Sequence, residues 1–124
     1  MNVVDSSGWL EYFAGAPNAA FFAPAIEAVS DLVVPSLSLY EVFKRIRQQQ
    51  TEDAALRAAA AMMQGSVVDL TPAIALRGAV LSLEHNLPMA DSLMLATAQS
   101  FNATLWTQDA DFEHLPGVRY IRKR

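Results

Sequence analysis

Apolar and polar residues follow one another along the chain with two different periods. Short runs rich in valine and other β-branched residues predict five strands, at Asn2–Asp5, Leu32–Pro35, Val67–Leu70, Ala103–Thr107 and Val118–Ile121. Longer segments whose apolar residues recur every three or four positions predict six helices, at Ser7–Ala14, Asn18–Ser30, Leu39–Gln50, Glu52–Gln64, Pro72–Asn86 and Met89–Phe101. Alternating strands and helices are typical of βαβ units. We therefore expect an α/β protein in which helices cover both faces of a parallel sheet of about five strands.

The size and composition favour one globular unit. The chain has 124 residues, of which 52% are apolar and 18% are charged, so a single domain spanning residues 1–124 is expected. Cysteine is absent, which excludes disulfides, thiolate zinc sites and thiol nucleophiles. The N-terminus lacks the features of a secretion signal, and no apolar run approaches the ~18 residues of a membrane span. We expect a cytoplasmic protein that does not bind membranes.

Several carboxylates follow predicted strands or begin predicted helices. Asp5 ends the first strand, and Asp109 and Asp111 follow the fourth. The carboxyl ends of parallel strands open on one edge of a sheet, where ligands bind. Glu41 and Asp91 lie in the first turns of predicted helices that begin at the same edge. The topology therefore predicts that Asp5, Glu41, Asp91 and Asp109 meet in one cleft, with Asp111 close by.

Each of these acids also has a local structural explanation. Glu41 can complete a capping box with Ser38, and Asp5 and Asp91 can cap helices or favour their dipoles. Asp109 and Asp111 can organise a turn through their side chains. If these local roles are the whole explanation, the protein is a non-catalytic binding subunit whose acids serve as helix caps.

Clustering of the acids, by contrast, implies a bound cation. At a separation of ~5 Å and an effective dielectric constant of ~20, each pair of carboxylates repels by about 3 kcal/mol. Oxygen ligands select Mg²⁺ or Mn²⁺, and the only histidines, His85 and His114, offer no credible ligand set for zinc. Such an ion activates water for attack on a phosphodiester. Ser7 and Thr107 are candidates to hold metal-bound waters or ligating carboxylates by hydrogen bonds.

The segments that contain these residues resemble PIN-domain ribonucleases of the VapC toxin type over essentially the whole chain. The similar segments are Val4–Ser7, Leu39–Val42, Leu87–Ala98, Ala103–Phe112 and Leu115–Val118. The resemblance implies a three-layer α/β/α sandwich and endoribonuclease activity that depends on Mg²⁺ or Mn²⁺. It also implies a homodimer and neutralisation by a cognate VapB-type antitoxin.

The resemblance assigns a catalytic set consisting of Asp5, Glu41, Asp91 and Asp109. Asp5, Asp91 and Asp109 would be the metal ligands, whereas the role of Asp111 stays open. Trp106 departs from the family pattern, in which a smaller aliphatic residue is expected on the fourth strand. The Trp106 side chain either packs in the core or has a role that the sequence does not assign.

Two further groups of side chains are candidates for contact with partners. Lys44, Arg45 and Arg47 follow Glu41 on one predicted helix, and they are candidates to bind RNA phosphates, with a solvated helix face as the alternative. We expect a solvated, frayed tail at Lys123 and Arg124. Trp9, Tyr12 and Phe13 either form an apolar groove for a partner helix or belong to the core.

Overall fold

The computed structural model describes all 124 residues. The five strands are β1 (Asn2–Val4), β2 (Val33–Pro35), β3 (Ser66–Val68), β4 (Thr104–Thr107) and β5 (Val118–Tyr120). The six helices are α1 (Ser6–Ala14), α2 (Ala19–Glu27), α3 (Ser36–Gln49), α4 (Glu52–Met62), α5 (Pro72–His85) and α6 (Met89–Ser100). Single 3₁₀ turns form at Val29–Asp31 and Ala110–Phe112. Every predicted element is present, and the predicted ends differ from these bounds by at most three residues.

The strands pair in parallel, as predicted, but they do not form one continuous sheet. β1, β4 and β5 form a three-stranded sheet in the order β1-β4-β5, and β2 pairs with β3 in a two-stranded sheet. A single parallel bridge between Asn2 and Leu32 joins the two. Strands of three or four residues present few aligned peptide groups, so the twist between neighbours ends a ladder quickly. The expectation of about five strands in one sheet is corrected accordingly.

Helices cover both faces of the strands, because successive strand residues point to opposite sides. Val4, Val34 and Trp106 belong to a core cluster that packs against α1, α2, α3 and α4. Their neighbours Val3, Val33 and Leu105 belong to a second cluster, which packs against α5 and α6. The molecule therefore has an α/β/α arrangement with one core on each side of the strands.

A close approach of α1 to the sheet fixes the chain at the end of β1. A Cβ atom at Gly8 would lie 2.6 Å from Phe22 Cε1 and 2.8 Å from Val4 Cγ1. Glycine is therefore the residue that lets α1 turn back tightly over β1. This turn places Asp5 at the carboxyl edge of the strands.

The aromatic residues singled out in the sequence have mainly core roles. Trp106 is buried, its Nε1 donates to Asn2 Oδ1 at 2.9 Å, and the Arg119 guanidinium lies 4.4 Å from its ring centroid. Trp9 is only 1% exposed and stacks on Phe13. Trp9 therefore does not line a surface groove, while Tyr12 and Phe13 remain partly exposed. None of the helices has the length and apolar character needed to cross a bilayer.

Candidate metal centre

Asp5 is held at the end of β1 by hydrogen bonds on both its backbone and its side chain. Its N–H donates to Trp106 O at 3.0 Å, which continues the β1–β4 ladder. Its Oδ2 accepts from Thr107 Oγ1 at 2.8 Å and from Ser7 Oγ at 3.0 Å. Burial is the main cause that raises the pKa of Asp5, and the two hydroxyls oppose it. Asp5 occupies the N-cap position of α1, but its side chain makes no capping hydrogen bond.

Glu41 lies one turn further into its helix than the sequence predicts. α3 begins at Ser36 with Pro35 in the N-cap position, so the predicted capping box between Ser38 and Glu41 is wrong. The Ser38 hydroxyl instead donates to Met94 Sδ at 3.3 Å. Glu41 Oε1 accepts from Ser6 Oγ at 2.7 Å. Glu41 is therefore tied to the residue that follows Asp5, rather than to its own helix end.

Three aspartates form a compact group beside Asp5. One carboxylate oxygen from each of Asp91, Asp109 and Asp111 lies within 4.8 Å of the other two. Asp91 lies in the first turn of α6 and makes no capping hydrogen bond, whereas Asp109 Oδ1 accepts from the Asp111 N–H at 2.9 Å. The predicted turn role is therefore confirmed for Asp109. Among the four predicted catalytic acids it is the only one whose side chain caps a helical turn.

The electrostatics of Asp91 reflect the charges of the other four acids, although Asp5 and Glu41 lie outside the compact group. Burial of this half-buried side chain is the main cause that raises its pKa to about 7. The negative charges of Asp5, Asp109, Asp111 and Glu41 contribute the rest of this rise in pKa, in that order. The ion pairs of the chain involve other acids, Asp53, Glu84 and Glu113. The chain therefore supplies no cation to this cluster.

The donor set fits a hard divalent cation. All five side chains offer oxygen, which Mg²⁺ and Mn²⁺ prefer. The compact group of Asp91, Asp109 and Asp111 includes Asp111, whose role the sequence left open, and Asp5 lies next to it. Ser7 and Thr107, the candidate hydrogen-bond donors, both hold the Asp5 carboxylate, and Thr107 Oγ1 also accepts from the Asp109 N–H at 2.9 Å.

The three basic residues of α3 do not lie together. Arg45 is one helical turn after Glu41 and lines a cleft that Ser7 also lines. Lys44 and Arg47 line a separate, apolar groove between α3 and α4. The Lys44 Nζ lies 3.3 Å from the Tyr40 hydroxyl and 5.4 Å from the centre of its ring. Of the three candidates for RNA contact, the structure therefore brings only Arg45 into a cleft shared with Ser7.

Sequence reasoning missed a polar network next to Asp109. Gln108 Nε2 donates to Glu11 Oε1 at 3.1 Å, and Gln108 Oε1 accepts from Asn18 Nδ2 at 2.9 Å. Asn18 Nδ2 also donates to Arg122 O at 3.1 Å. Because Asn18 and Gln108 are 90 positions apart, no local pattern could reveal their contact. The role of Ser6, in contrast, could have been suspected from its position next to Asp5.

Comparison with known proteins identifies relatives across nearly the whole chain. A family model described as the PIN domain matches residues 3–118. A chain of a toxin-antitoxin complex from Klebsiella pneumoniae is 26% identical, with 96% of each chain covered and a TM-score of 0.81. A comparison with curated proteins finds no significant match.

Two further solved structures share the fold at lower identity. A VapBC complex from Rickettsia felis, bound to a DNA fragment of its promoter, covers 98% of this chain and 97% of its own at 13% identity, with a TM-score of 0.74. A VapC toxin from Mycobacterium tuberculosis that cleaves the sarcin-ricin loop covers 90% and 92% at 17% identity, with a TM-score of 0.75. At these identities the likeness is one of fold alone.

Proposed function

The chain belongs to the PIN domain family, as its sequence motifs predicted, and on this premise we propose that it is a Mg²⁺- or Mn²⁺-dependent endoribonuclease acting as a VapC-type toxin. The observation that carries the proposal is the compact group of Asp91, Asp109 and Asp111, to which Asp5 and Glu41 add negative charge and with which no cation of the chain pairs. Helix capping alone does not explain this cluster, because Asp5, Glu41 and Asp91 make no capping hydrogen bond. The convergence therefore favours an enzyme over a non-catalytic binding subunit.

The proposed metal ligands are Asp5, Asp91 and Asp109, and Asp111 lies within reach of the same ion. A bound divalent cation supplies a water of lowered pKa and positive charge for the phosphoryl oxygens. The hydroxyls of Ser7 and Thr107 fix the Asp5 carboxylate, and Thr107 also fixes the backbone at Asp109. These residues act by holding ligands in place before the ion binds.

The protonation of Asp91 is coupled to metal binding. With a pKa of about 7, this carboxyl carries a proton for part of the time at neutral pH. A cation must displace that proton, so metal affinity rises as the pH increases through 7. Glu41 is held through Oε1 by Ser6, which leaves Oε2 as an acceptor for the proton of the attacking water.

The proposed protein partner is a VapB-type antitoxin. The similar Klebsiella chain comes from a toxin-antitoxin complex, and this chain has an apolar groove that suits a helix of such a partner. The groove lies between α3 and α4, has a volume of about 560 Å³ and is lined by Leu39, Tyr40, Phe43, Ala59 and Met63 among others. The proposed place of action is the cytoplasm, where RNA is the substrate.

We also propose a homodimer formed through α5. Leu76, Val80 and Leu83 follow one another at helical spacing, and Leu76 and Leu83 are 72% and 87% exposed. An apolar stripe of this kind on a helix is typical of an interface. Sedimentation of Leu83→Glu tests it: the parent is expected to sediment as a dimer and the variant as a monomer. A parent that sediments as a monomer at micromolar concentration would contradict this part of the proposal.

The nuclease activity is tested on structured RNA with and without Mn²⁺ or Mg²⁺. Asp91→Asn is expected to abolish cleavage, because it removes a proposed ligand without changing the shape of the side chain. Asp53→Asn is the matched control, since Asp53 is exposed on α4 and pairs with Arg57. Equal rates for the parent and Asp91→Asn would overturn the assignment. For the toxin role, co-expression of the antitoxin must restore growth.

A further inference from the structure

A second cleft, which we name the lateral cleft, adjoins the metal centre. It has a volume of about 360 Å³ and lies between α1, the carboxyl end of α3 and the tail that follows β5. Its lining includes Ser7, Phe13, Arg45, Gln49, Gln50 and Lys123. Polar and charged side chains make up most of the lining of the lateral cleft, whereas apolar side chains make up most of the lining of the groove between α3 and α4.

Two residues connect the lateral cleft to the acids. Ser7 lines the cleft and donates to Asp5 Oδ2 at 3.0 Å. Gln108 also lines it and directly precedes Asp109. The lateral cleft therefore lies beside the acids, within one hydrogen bond of Asp5 and one residue of Asp109.

The charges of the lateral cleft favour an anionic ligand. Arg45 and Lys123 form no ion pair within the chain. The one acid in the lining is Glu11, and both of its carboxylate oxygens accept hydrogen bonds, from the Asn18 N–H at 2.9 Å and from Gln108 Nε2 at 3.1 Å. The lateral cleft therefore contains two cations that form no ion pair, Arg45 and Lys123. Its single carboxylate, Glu11, already accepts a hydrogen bond on each oxygen.

The backbone that leads to Lys123 is anchored beside the lateral cleft. The Ile121 N–H donates to Thr107 O at 3.0 Å, and Arg122 O accepts from Asn18 Nδ2 at 3.1 Å. The chain is therefore tied to the body of the protein as far as residue 122, and the expected solvated tail is limited to Lys123 and Arg124, which are both exposed. Lys123 directly follows this anchored backbone, and its exposed side chain lines the same cleft as Arg45.

The amides of the lateral cleft can recognise a base. Gln49 and Gln50 close α3, and their side chains make no hydrogen bond within the chain, so their donors and acceptors are free. Side-chain amides match the hydrogen-bonding edges of unpaired bases, and aromatic rings stack on base faces. Phe13 supplies such a ring. The cleft volume falls at the low end of the range for small-molecule sites, about 300–1,000 Å³, which suits one nucleotide.

We propose that the lateral cleft binds the nucleotide adjoining the scissile phosphodiester of a single-stranded RNA segment. Arg45 and Lys123 contact its phosphate, and Gln49 and Gln50 contact its base beside Phe13. The proposal rests on the proposed nuclease function, to which it adds a binding site for the flanking nucleotide. Arg45 and Lys123 determine affinity, and the two glutamines determine the preference among bases.

The test measures binding of fluorescent single-stranded RNA hexamers in the Asp91→Asn background, which prevents cleavage. Arg45→Ala/Lys123→Ala is expected to weaken binding at least tenfold for every hexamer. It should also reduce the slope of log K against log salt by about 0.7, since both cations contact one phosphate and each single-strand phosphate contact contributes about 0.7. Lys44→Ala/Arg47→Ala removes the same charge from the other groove, and it should change affinity less than twofold. Equal weakening by the two double variants would overturn the proposal.

The glutamines are tested with hexamers of A, C and U. Gln49→Ala/Gln50→Ala should bring the three affinities within twofold of one another, whereas the Arg45→Ala/Lys123→Ala variant should lower all three in proportion. An unchanged spread of affinities would contradict base recognition. If a hexaglutamate peptide displaces the RNA as well as an unlabelled hexamer does, the site is a general anion surface and the nucleotide assignment fails.

Cleavage and binding measurements together distinguish failure of the lateral cleft proposal from failure of the nuclease proposal. If the parent cleaves RNA with Mn²⁺ but the two double cation variants bind alike, only the lateral cleft assignment falls. If the parent never cleaves but Arg45→Ala/Lys123→Ala selectively loses RNA, the nucleotide site stands and the catalytic assignment falls.

Discussion

Removing the charge of Asp91 should stabilise the metal-free protein at alkaline pH. In the folded state the pKa of this carboxyl is about 7, against an ordinary value of 3.8, mainly because of burial and then because of four neighbouring carboxylates. The folded state therefore binds the proton of Asp91 more tightly than the unfolded state does. As the pH rises from about 4 to about 7, the parent loses this contribution to stability. Asparagine keeps the shape of the protonated acid, so Asp91→Asn does not share the loss.

The size of the effect follows from the two pKa values. A difference of about three pH units at ~1.4 kcal/mol each gives an upper limit of about 4 kcal/mol. Asp91 is only half-buried, and solvent screening reduces this to about 2 kcal/mol. At pH 8 we therefore expect Asp91→Asn to unfold with a free energy about 2 kcal/mol greater than the parent. At pH 4 the two proteins should be equally stable, because Asp91 is protonated in the folded state.

Urea unfolding followed by circular dichroism, in buffers that contain a chelator, measures this difference at both pH values. Asp53→Asn is the control and should change stability by less than about 0.5 kcal/mol, since it breaks only an exposed ion pair. Saturating Mn²⁺ at pH 8 should reverse the order, because the parent binds the ion more tightly. If Asp91→Asn is no more stable than the parent at pH 8 without metal, the acids are not crowded as described.

Three further substitutions test how the metal centre is supported. Thr107→Val removes the hydroxyl that joins Asp5 to Asp109, so calorimetry should show that Mn²⁺ affinity is lower by about 10–100-fold. Thr97→Val is the control, because it removes only a hydrogen bond to Leu93 O within α6, and it should leave Mn²⁺ affinity unchanged. Ser6→Ala frees Glu41 and should lower kcat about tenfold at constant Mn²⁺ affinity, and an altered affinity would instead place Glu41 among the ligands. Gly8→Ala forces a methyl group onto Phe22 and should destabilise the fold by about 1–3 kcal/mol in urea unfolding; an unchanged midpoint would refute the close packing of α1.

The sequence predicted correctly those features of the fold that follow from a single local rule. Val3 and Val4 face opposite cores because strand residues alternate, and the parallel arrangement of β1 and β4 brings Asp5 and Asp109 to one edge. These features depend on periodicity and strand direction, both of which the chain displays directly.

Features that depend on distant contacts were not predictable in the same way. The spacing of Ser38 and Glu41 imitates a capping box, but Pro35 permits α3 to begin a turn earlier, and Ser38 is buried against Met94. Arg45 and Arg47 look equivalent in the sequence, yet their helical positions place them in different clefts. The contact between Asn18 and Gln108 requires the finished fold, so no short pattern could indicate it.

The packing of Trp106 makes its fluorescence a built-in probe of the proposed metal centre. The carbonyl of this residue accepts the Asp5 N–H, and the next residue along β4 holds the Asp5 carboxylate. Its indole is nearly enclosed, beneath the guanidinium of Arg119. A divalent ion bound at the proposed site would change the electric field at this ring, so the emission spectrum should shift when Mn²⁺ or Mg²⁺ is added. Trp106→Phe should abolish this spectral shift, and the emission of Trp9 should then stay constant during the titration.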